Sequence, residues 1–269
     1  MKDERLRGLE LVRAIEDSAG EAGVALWSLG GAGWAICGER TVVYIDPFFR
    51  GRALNPGWTC ALPSLFDPEA IRRADAMLAT HGHGDHCDET IGEPLARNSS
   101  AVFIGPEACA SRARTWGFPV ERVRPLRWDE HLTVGAARIT AVESVDPNAD
   151  EANAYVIELA GYRLIHTGDS LLFPNLEAIG LRWRLDVGML SVGKNPPDCR
   201  YYLDPDEMVE MSRRLGVGHV LPMHWNTWKE TYLDPAVIIE TARRRGLQAR
   251  VIIVTPGERY ALSSLTTPG

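Results

Sequence analysis

Apolar positions along the chain alternate between strand-like runs and helical spacing. The first twenty residues, MKDERLRGLELVRAIEDSAG, set Leu, Val and Ile at helical intervals among charges and predict a charged N-terminal helix over 1–20. Three short runs rich in β-branched and aromatic residues follow, VALWSL, GWAICG and TVVYID. Punctuated by glycine, they predict a β-meander that ends at Asp46. A loop containing Pro and Gly, PFFRGRALNPGWTCALPSLFDP, leads to EAIRRA, a short helix with Asp67 and Pro68 as start signals. DAMLAT then reads as a buried strand, HCDETIGEPLARN as a helix, AVFIGP as a strand, and EACASRARTWG as a helix closed by Gly117.

The second half repeats this plan. Strands are predicted in HLTVGAARITAVES, NAYVIELAG and YRLIHTG, a helix near Leu176, a strand in DVGMLSV and an amphipathic helix in DPDEMVEMSRRLG. GHVLPMH, DPAVIIETARRRG and ARVIIVTP add a strand, a helix and a terminal strand. No composition shift or flexible linker separates the halves, so residues 1–269 are expected to form one α/β domain with two βα halves.

Composition narrows the function classes. A formal charge of −7 provides no basic field, so nucleic acid is not an expected partner. The N-terminus lacks an apolar stretch of the kind that directs secretion, and the uncharged run from Ala22 to Gly38 is too short and glycine-rich to span a membrane. Five scattered cysteines argue against a disulfide framework and for a reducing compartment. The expectation is a cytoplasmic protein with a small-molecule substrate and no membrane partner, compatible with a homo-oligomer.

THGHGDHCD places His81, His83, Asp85 and His86 directly after an apolar strand, where α/β folds put their sites. Gly82 and Gly84 relieve crowding, so that His81 and His83 can turn toward one ion and Asp85 and His86 toward another. Imidazole and carboxylate suit Zn, Mn or Fe, and no thiolate pair is placed for a structural zinc site. Cys87 is expected to point away from the site. His131, His166 and His219 read as structural, and Trp225 and Trp228 as core or pocket wall. The loop GKNPPDCRYYLDPDEM should approach from the second half and offers Asn195, Tyr201 and Tyr202 as substrate contacts, with Asn195 able to donate to a carbonyl or hydroxyl. Arg50, Arg52, Lys194 and Arg200 could receive an anion but equally resemble ordinary surface, and carry no assignment.

The H-x-H-x-D-H pattern from His81 to His86 resembles the metallo-β-lactamase superfamily. Asp46 matches the first motif aspartate, Asp169 in HTGDS the carboxylate that bridges two metals, and His224 in LPMHW the last histidine ligand. The resemblance implies an αββα sandwich, two mixed β-sheets flanked by helices. FDPEAIRRADAMLATHGHGDHCD, FIGPEACASRARTWGFPVERV and GKNPP ahead of DPDEM are most similar to L-ascorbate-6-phosphate lactonase and its relatives, cytoplasmic enzymes that open a sugar-acid lactone with a divalent metal, commonly manganese.

What this implies is a hydrolase using one or two divalent ions, Mn2+ or Zn2+, to make a hydroxide that attacks a lactone or related ester of a small polar, sugar-acid-like substrate. His81, His83 and Asp146 would bind one ion, Asp85, His86 and His224 the other, and Asp169 would bridge. Asp46 would hold the loop from behind the ligands. Asp85 and His86 would be catalytic, with Asp85 orienting the hydroxide and moving its proton. One departure matters: where most superfamily hydrolases carry a histidine, ITAVESVDPNADEAN has none. Asp146 or Glu143 could fill the place, and a carboxylate there shifts preference toward Mn. Three alternatives stay open: a phosphodiesterase with the same dinuclear site, a metal-binding protein without activity, and a di-iron oxidoreductase. Superfamily members of the last kind carry Glu at the position of His83 and need a flavin partner domain.

Overall fold

The computed structural model describes residues 5–49, 57–62 and 65–262, and arranges them around two seven-stranded sheets. The first half supplies α1 (Gly8–Ser18), β1 (Ala25–Gly30), β2 (Gly33–Gly38), β3 (Thr41–Ile45), β4 (Ala76–Leu78), α2 (Glu89–Asn98), β5 (Val102–Gly105), α3 (Glu107–Thr115) and β6 (Val123–Pro125). The second supplies β7 (His131–Val134), β8 (Ala137–Glu143), β9 (Asn153–Leu159), β10 (Tyr162–His166), α4 (Leu176–Trp183) and β11 (Val187–Ser191). It continues with α5 (Pro205–Leu215), β12 (His219–Met223), α6 (Pro235–Arg244), β13 (Arg250–Val251) and β14 (Arg259–Ala261).

Strand order is β14-β1-β2-β3-β4-β5-β6 in one sheet and β13-β12-β11-β10-β9-β8-β7 in the other. Each begins as an antiparallel meander and turns parallel, from β3 onward in the first sheet and from β10 onward in the second. The parallel strands are apolar on both faces, which is why they read as continuous hydrophobic runs. Trp34, Ile36, Val43 and Ile45 meet Tyr155, Ile157 and Met189 between the sheets. Tyr44, Met77 and Phe103 face outward onto α1, α2 and α3 through Leu11, Ile15, Ile91 and Ala113. Val156, Ile165 and Leu190 do the same with Ile179, Met208 and Ile238 of α4, α5 and α6. The layers are helix, sheet, sheet, helix, as the resemblance implied. No described helix is long and apolar enough to cross a membrane.

Several sequence expectations are corrected. EAIRRA forms no α-helix: only a 3-10 turn spans Pro68–Ala70, opened by the Asp67 side chain on the Glu69 N–H at 3.0 Å. Ile71 is already extended and fully buried, and the N–H groups of Arg72 and Arg73 go to the Glu16 carboxylate at 2.8 and 3.0 Å. One turn offers too few internal hydrogen bonds to outweigh burial of Ile71. The N-terminal helix is Gly8–Ser18, and the first four residues lie outside the described ones. ARVIIVTP is a strand only over Arg250–Val251, after which the chain crosses to the first sheet and pairs β14 with β1. His131 begins β7.

Helix ends follow the side-chain chemistry. In α5, Asp204 and Glu207 form a reciprocal capping box, Pro205 takes the first turn, and Gly216 closes the helix at φ 65°. α4 packs against the end of α5 so closely that a Cβ on Gly180 would lie 2.4 Å from the Leu215 carbonyl oxygen. Gly180→Ala should therefore lower unfolding free energy by about 1–3 kcal/mol, the range for overpacking. Urea denaturation checks this, and an unchanged midpoint would contradict so close an approach.

Candidate metal centre

Every residue of the candidate site follows the carboxyl end of a strand: Asp46 after β3, His81 to His86 after β4, Asp146 after β8, Asp169 after β10 and His224 after β12. Backbone contacts stitch the two halves together at this edge. The Asn153 N–H donates to the Thr80 carbonyl at 2.8 Å, the Tyr155 hydroxyl to the Ala79 carbonyl at 3.1 Å, and the His224 N–H to the Gly31 carbonyl at 2.9 Å. His166 is one of these links, not a member of the cluster. Its Nε2 lies 2.8 Å from the Ala32 carbonyl, which can only accept, and its Nδ1 accepts from the Gly168 N–H at 3.2 Å.

The imidazole tautomers follow from hydrogen bonds outside the cluster. Asp46 is the hub. Its carboxylate accepts from the Thr80 N–H at 2.8 Å, the Thr80 hydroxyl at 2.6 Å and His86 Nδ1 at 2.6 Å. With its proton given to Asp46, the Thr80 hydroxyl accepts from His81 Nδ1 at 3.0 Å. His83 Nε2 donates to the Asn148 carbonyl at 3.1 Å. Thr227 gives its hydroxyl proton to the His224 carbonyl at 3.0 Å and accepts from His224 Nδ1 at 2.8 Å. Each ring thus keeps a proton on its outer nitrogen, which in the neutral ring leaves the lone pair on the inner one.

Those lone pairs converge. His81 Nε2 lies 2.8 Å from His83 Nδ1, and His86 Nε2 lies 3.2 Å from His224 Nε2. Asp146 Oδ2 is 3.4 Å from His81 Nε2 and 3.7 Å from His83 Nδ1. Asp169 Oδ2 is 3.3 Å from His86 Nε2 and 3.5 Å from His224 Nε2, while its Oδ1 accepts from the Ser191 hydroxyl at 2.8 Å. Asp85 Oδ2 stands 3.4 Å from His224 Nε2.

The electrostatics reflect this crowding. Burial, assisted by the His86 charge, pushes His81 down to about 3. Burial also opposes charge on His86 and His224, but the carboxylates outweigh it and raise both: Asp169, Asp46 and Asp85 act on His86, Asp169 and Asp85 on His224. Burial would raise Asp169 and Asp85, yet the neighbouring imidazoles hold both below the usual carboxylate range. Asp146 is raised, first by burial and then by Asp169, and its Oδ2 is buried without a hydrogen-bond partner. Facing lone pairs and an orphaned carboxylate oxygen call for positive charge between them. A divalent cation fits this nitrogen and oxygen donor set. Three donor groups lie close enough to hold one: His81, His83 and Asp146; Asp85, His86 and His224; and His81, His86 and Asp169.

Of the two carboxylates left open by the sequence, Asp146 joins the cluster, and Glu143 instead accepts from the Asn175 amide at 2.7 Å. Cys87 is fully buried in the core that includes Cys109. Asn195 is turned to a different task from the expected substrate contact. Its Oδ1 accepts the N–H groups of Tyr201 and Tyr202 at 2.7 and 2.9 Å, and its Nδ2 donates to the Tyr202 carbonyl at 2.8 Å, so the carboxamide clamps its own loop. That clamp sets the Tyr202 ring 4.6 Å from the His224 ring. Tyr201 stacks edge-on with Trp58 at 5.2 Å, and Trp58 with Trp228 at 5.9 Å, forming an aromatic wall. Trp225 is core. Lys194 is exposed, Arg200 pairs with Glu207, and Arg50 and Arg52 lie outside the described residues.

Sequence reasoning missed Thr80, Thr227, Ser191 and Arg112. Thr80 directly precedes the first histidine of the motif, a position that could have drawn notice. Arg112 on α3 donates to the carbonyls of Gly82 at 2.6 Å and Cys87 at 2.8 Å, bracketing the histidine loop. No local pattern marks it. Two site residues also hold left-handed backbone without being glycine, Asp46 at φ 44° and His224 at φ 71°, a conformation that the surrounding hydrogen bonds must enforce.

Comparison with known proteins agrees with this geometry. Residues 41–225 match the family described as "Beta-lactamase superfamily domain". The chain is 28% identical to the probable L-ascorbate-6-phosphate lactonase UlaG of Escherichia coli O127:H6, over 81% of this chain and 71% of that protein. It is 29% identical to the corresponding protein of Escherichia coli O139:H28 over 65% of this chain, and the match spans 56% of that protein's length. In fold it is similar to Igni18, a metallo hydrolase from Ignicoccus hospitalis, with a TM-score of 0.71 and 21% identity, covering 89% of this chain and 98% of that one.

Because Asp46 orients Thr80, His81 and His86 together, Asp46→Asn should weaken binding of Mn2+ or Zn2+ about 10–100-fold, as loss of outer partners does at metal sites. Isothermal titration of the metal-free protein checks this. Unchanged affinity would remove Asp46 from that role.

Proposed function

Since the chain belongs to the beta-lactamase superfamily, we propose that it is a metal-dependent hydrolase that opens a lactone or related ester of a small polar compound. The observation that carries this reading is the convergence of four imidazole lone pairs and three carboxylates at a seam whose outer hydrogen bonds leave no other use for them. Family membership and the lactonase-named relatives support a hydrolytic enzyme. In this reading His81, His83 and Asp146 would hold one divalent ion and Asp85, His86 and His224 a second, with Asp169 available to either through its place beside His81, His86 and His224. With a carboxylate where an imidazole is usual, Mn2+ is favoured over Zn2+.

When bound, such ions supply Lewis acidity toward a carbonyl and lower the pKa of water. The protein's own groups do the rest. Asp85, placed beside His86 and His224, would accept a proton from the attacking water and return it to the leaving alkoxide. A carbon–oxygen bond forms to water, the ring carbon–oxygen bond breaks, and the proton ends on the released hydroxyl. His86, locked by Asp46, keeps the donors on the Asp85 side in place. Tyr202 walls off the His224 side from solvent.

Elemental analysis of the wild-type protein and of His224→Ala and Asp146→Ala should find about two Mn or Zn per wild-type chain, the stoichiometry of two-metal sites, with less in both variants. Metal content unchanged in Asp146→Ala would remove that residue from the ligand set. His86→Ala should lose at least about a hundredfold in lactone hydrolysis, the scale of losing a preorganised charge-stabilising group, with an unaltered circular dichroism spectrum. Near-normal turnover in that variant would overturn the assignment, and turnover of bis(p-nitrophenyl) phosphate but of no lactone would replace it with phosphodiester hydrolysis.

A further inference from the structure

A cleft of about 910 Å3 lies among the residues that follow β5, β6 and β8. It has the size of a small-molecule site. Asp146 lines it and also belongs to the donor group with His81 and His83, so the cleft borders the candidate metal centre at this residue. Asp146 is itself 7% exposed, and its Oδ2 is the buried oxygen without a hydrogen-bond partner. A substrate reacting at that centre would lay the rest of its body here.

The lining has a definite chemistry. Trp128 is 48% exposed on the wall, and its Nε1 donates to the Ala152 carbonyl at 2.9 Å, which holds the indole in place. Val145, 37% exposed, adds an apolar surface. Around them stand Glu107, Glu130, Asp150 and Glu151 against the single guanidinium of Arg127. Arg114 pairs with Glu107 at 2.8 Å. Glu130 and Glu151 accept only backbone N–H groups, of Arg127 at 2.8 Å and Ala108 at 3.1 Å, and no ion pair among the described residues reaches them or Asp150. Three carboxylates without an ion-pair partner among the described residues thus share this cleft with an exposed indole. An aromatic face with carboxylates around it recognises an organic cation, through cation–π attraction and charge. A phosphate group would meet the opposite field.

We propose that this cleft binds the non-reacting part of the substrate, and that this part is an apolar body bearing an ammonium group. The word substrate rests on the hydrolase reading above; the preference for a cation is a property of the cleft and can be measured without turnover. The lactonase-named relatives would then share this chain's reaction centre without sharing its substrate's charge.

The test is calorimetric titration of the metal-loaded protein with three matched probes: benzyltrimethylammonium, benzyl alcohol and benzenesulfonate. The ammonium should bind about tenfold more tightly than the sulfonate, the combined scale of a cation–π contact and charges at an exposed rim. The double variant Asp150→Asn, Glu151→Gln should lose most of that difference, and Trp128→Ala should weaken the ammonium while leaving the melting curve unchanged. Sulfonate binding as tightly as ammonium, or a preference that survives in the double variant, would overturn the proposal. Ammonium preference in a protein that hydrolyses no ester would leave the cleft assignment standing and bring down the hydrolase reading. Ester hydrolysis with sulfonate preferred would do the reverse.

Discussion

Imidazoles that present lone pairs to one another repel unless something positive lies between them, and this structure brings four into that position, three of them buried. Protonation of some rings could relieve the clash, and the charges on Asp169, Asp46 and Asp85 favour it for His86. The outer nitrogens of all four rings are already committed, to Asp46, Thr80, Asn148 and Thr227, so whatever brings the positive charge, a proton or a cation, must enter on the inner side. The carboxylate of Asp46 anchors that arrangement, since it takes the Thr80 proton and thereby decides which nitrogen of His81 is free. A group that binds nothing itself sets the donor character of two that can.

The same hub explains backbone that would otherwise be costly. Asp46 leaves β3 in a left-handed conformation, and its N–H is held by the Leu78 carbonyl at 2.9 Å. His224 makes the matching turn at the end of β12, with its N–H on Gly31 from the opposite sheet. The strain at His224 is balanced by a hydrogen bond that exists only when the sheets are docked, whereas the bonds that hold Asp46, to Leu78, Thr80 and His86, lie within the first half. Donors from the two halves meet only in the docked sheets, so a cation held by both would stabilise the docked state.

Legibility in the sequence tracked how local each cause was. The histidine loop was visible because its donors sit within one short segment after an apolar strand, and Asp169 and His224 were visible through the resemblance. The alternating strands and helices showed in their periodicity, and the two-sheet layering followed from the resemblance. What escaped were features that depend on distant partners. EAIRRA has helical composition, but Glu16 from α1 captures two of its N–H groups and core burial captures Ile71. Arg112 is an ordinary helix arginine until the fold brings it to the two carbonyls that bracket the histidine loop. Asn195 was legible as a polar residue near the site, but its use as a clamp required knowing where Tyr201 and Tyr202 return.

The replacement of the usual central histidine by Asp146 carries a consequence beyond metal preference. An imidazole is neutral and adds no charge to its surroundings, whereas a carboxylate brings one negative charge to the boundary between metal centre and cleft. Its Oδ1 is occupied by the Asn148 N–H at 2.8 Å, which leaves Oδ2 to face His81 and His83. Asn148 in turn ties the loop to Arg200 through its amide at 2.6 Å and receives His83 on its carbonyl, so the segment after β8 spans both walls of the site. Placing the extra carboxylate on that segment, next to Asp150 and Glu151, makes the approach to the metal centre acidic from this side. If Asp146 holds a cation as proposed, anionic groups on a substrate would be disfavoured on this approach, and the same loop would supply both a ligand and selectivity by charge.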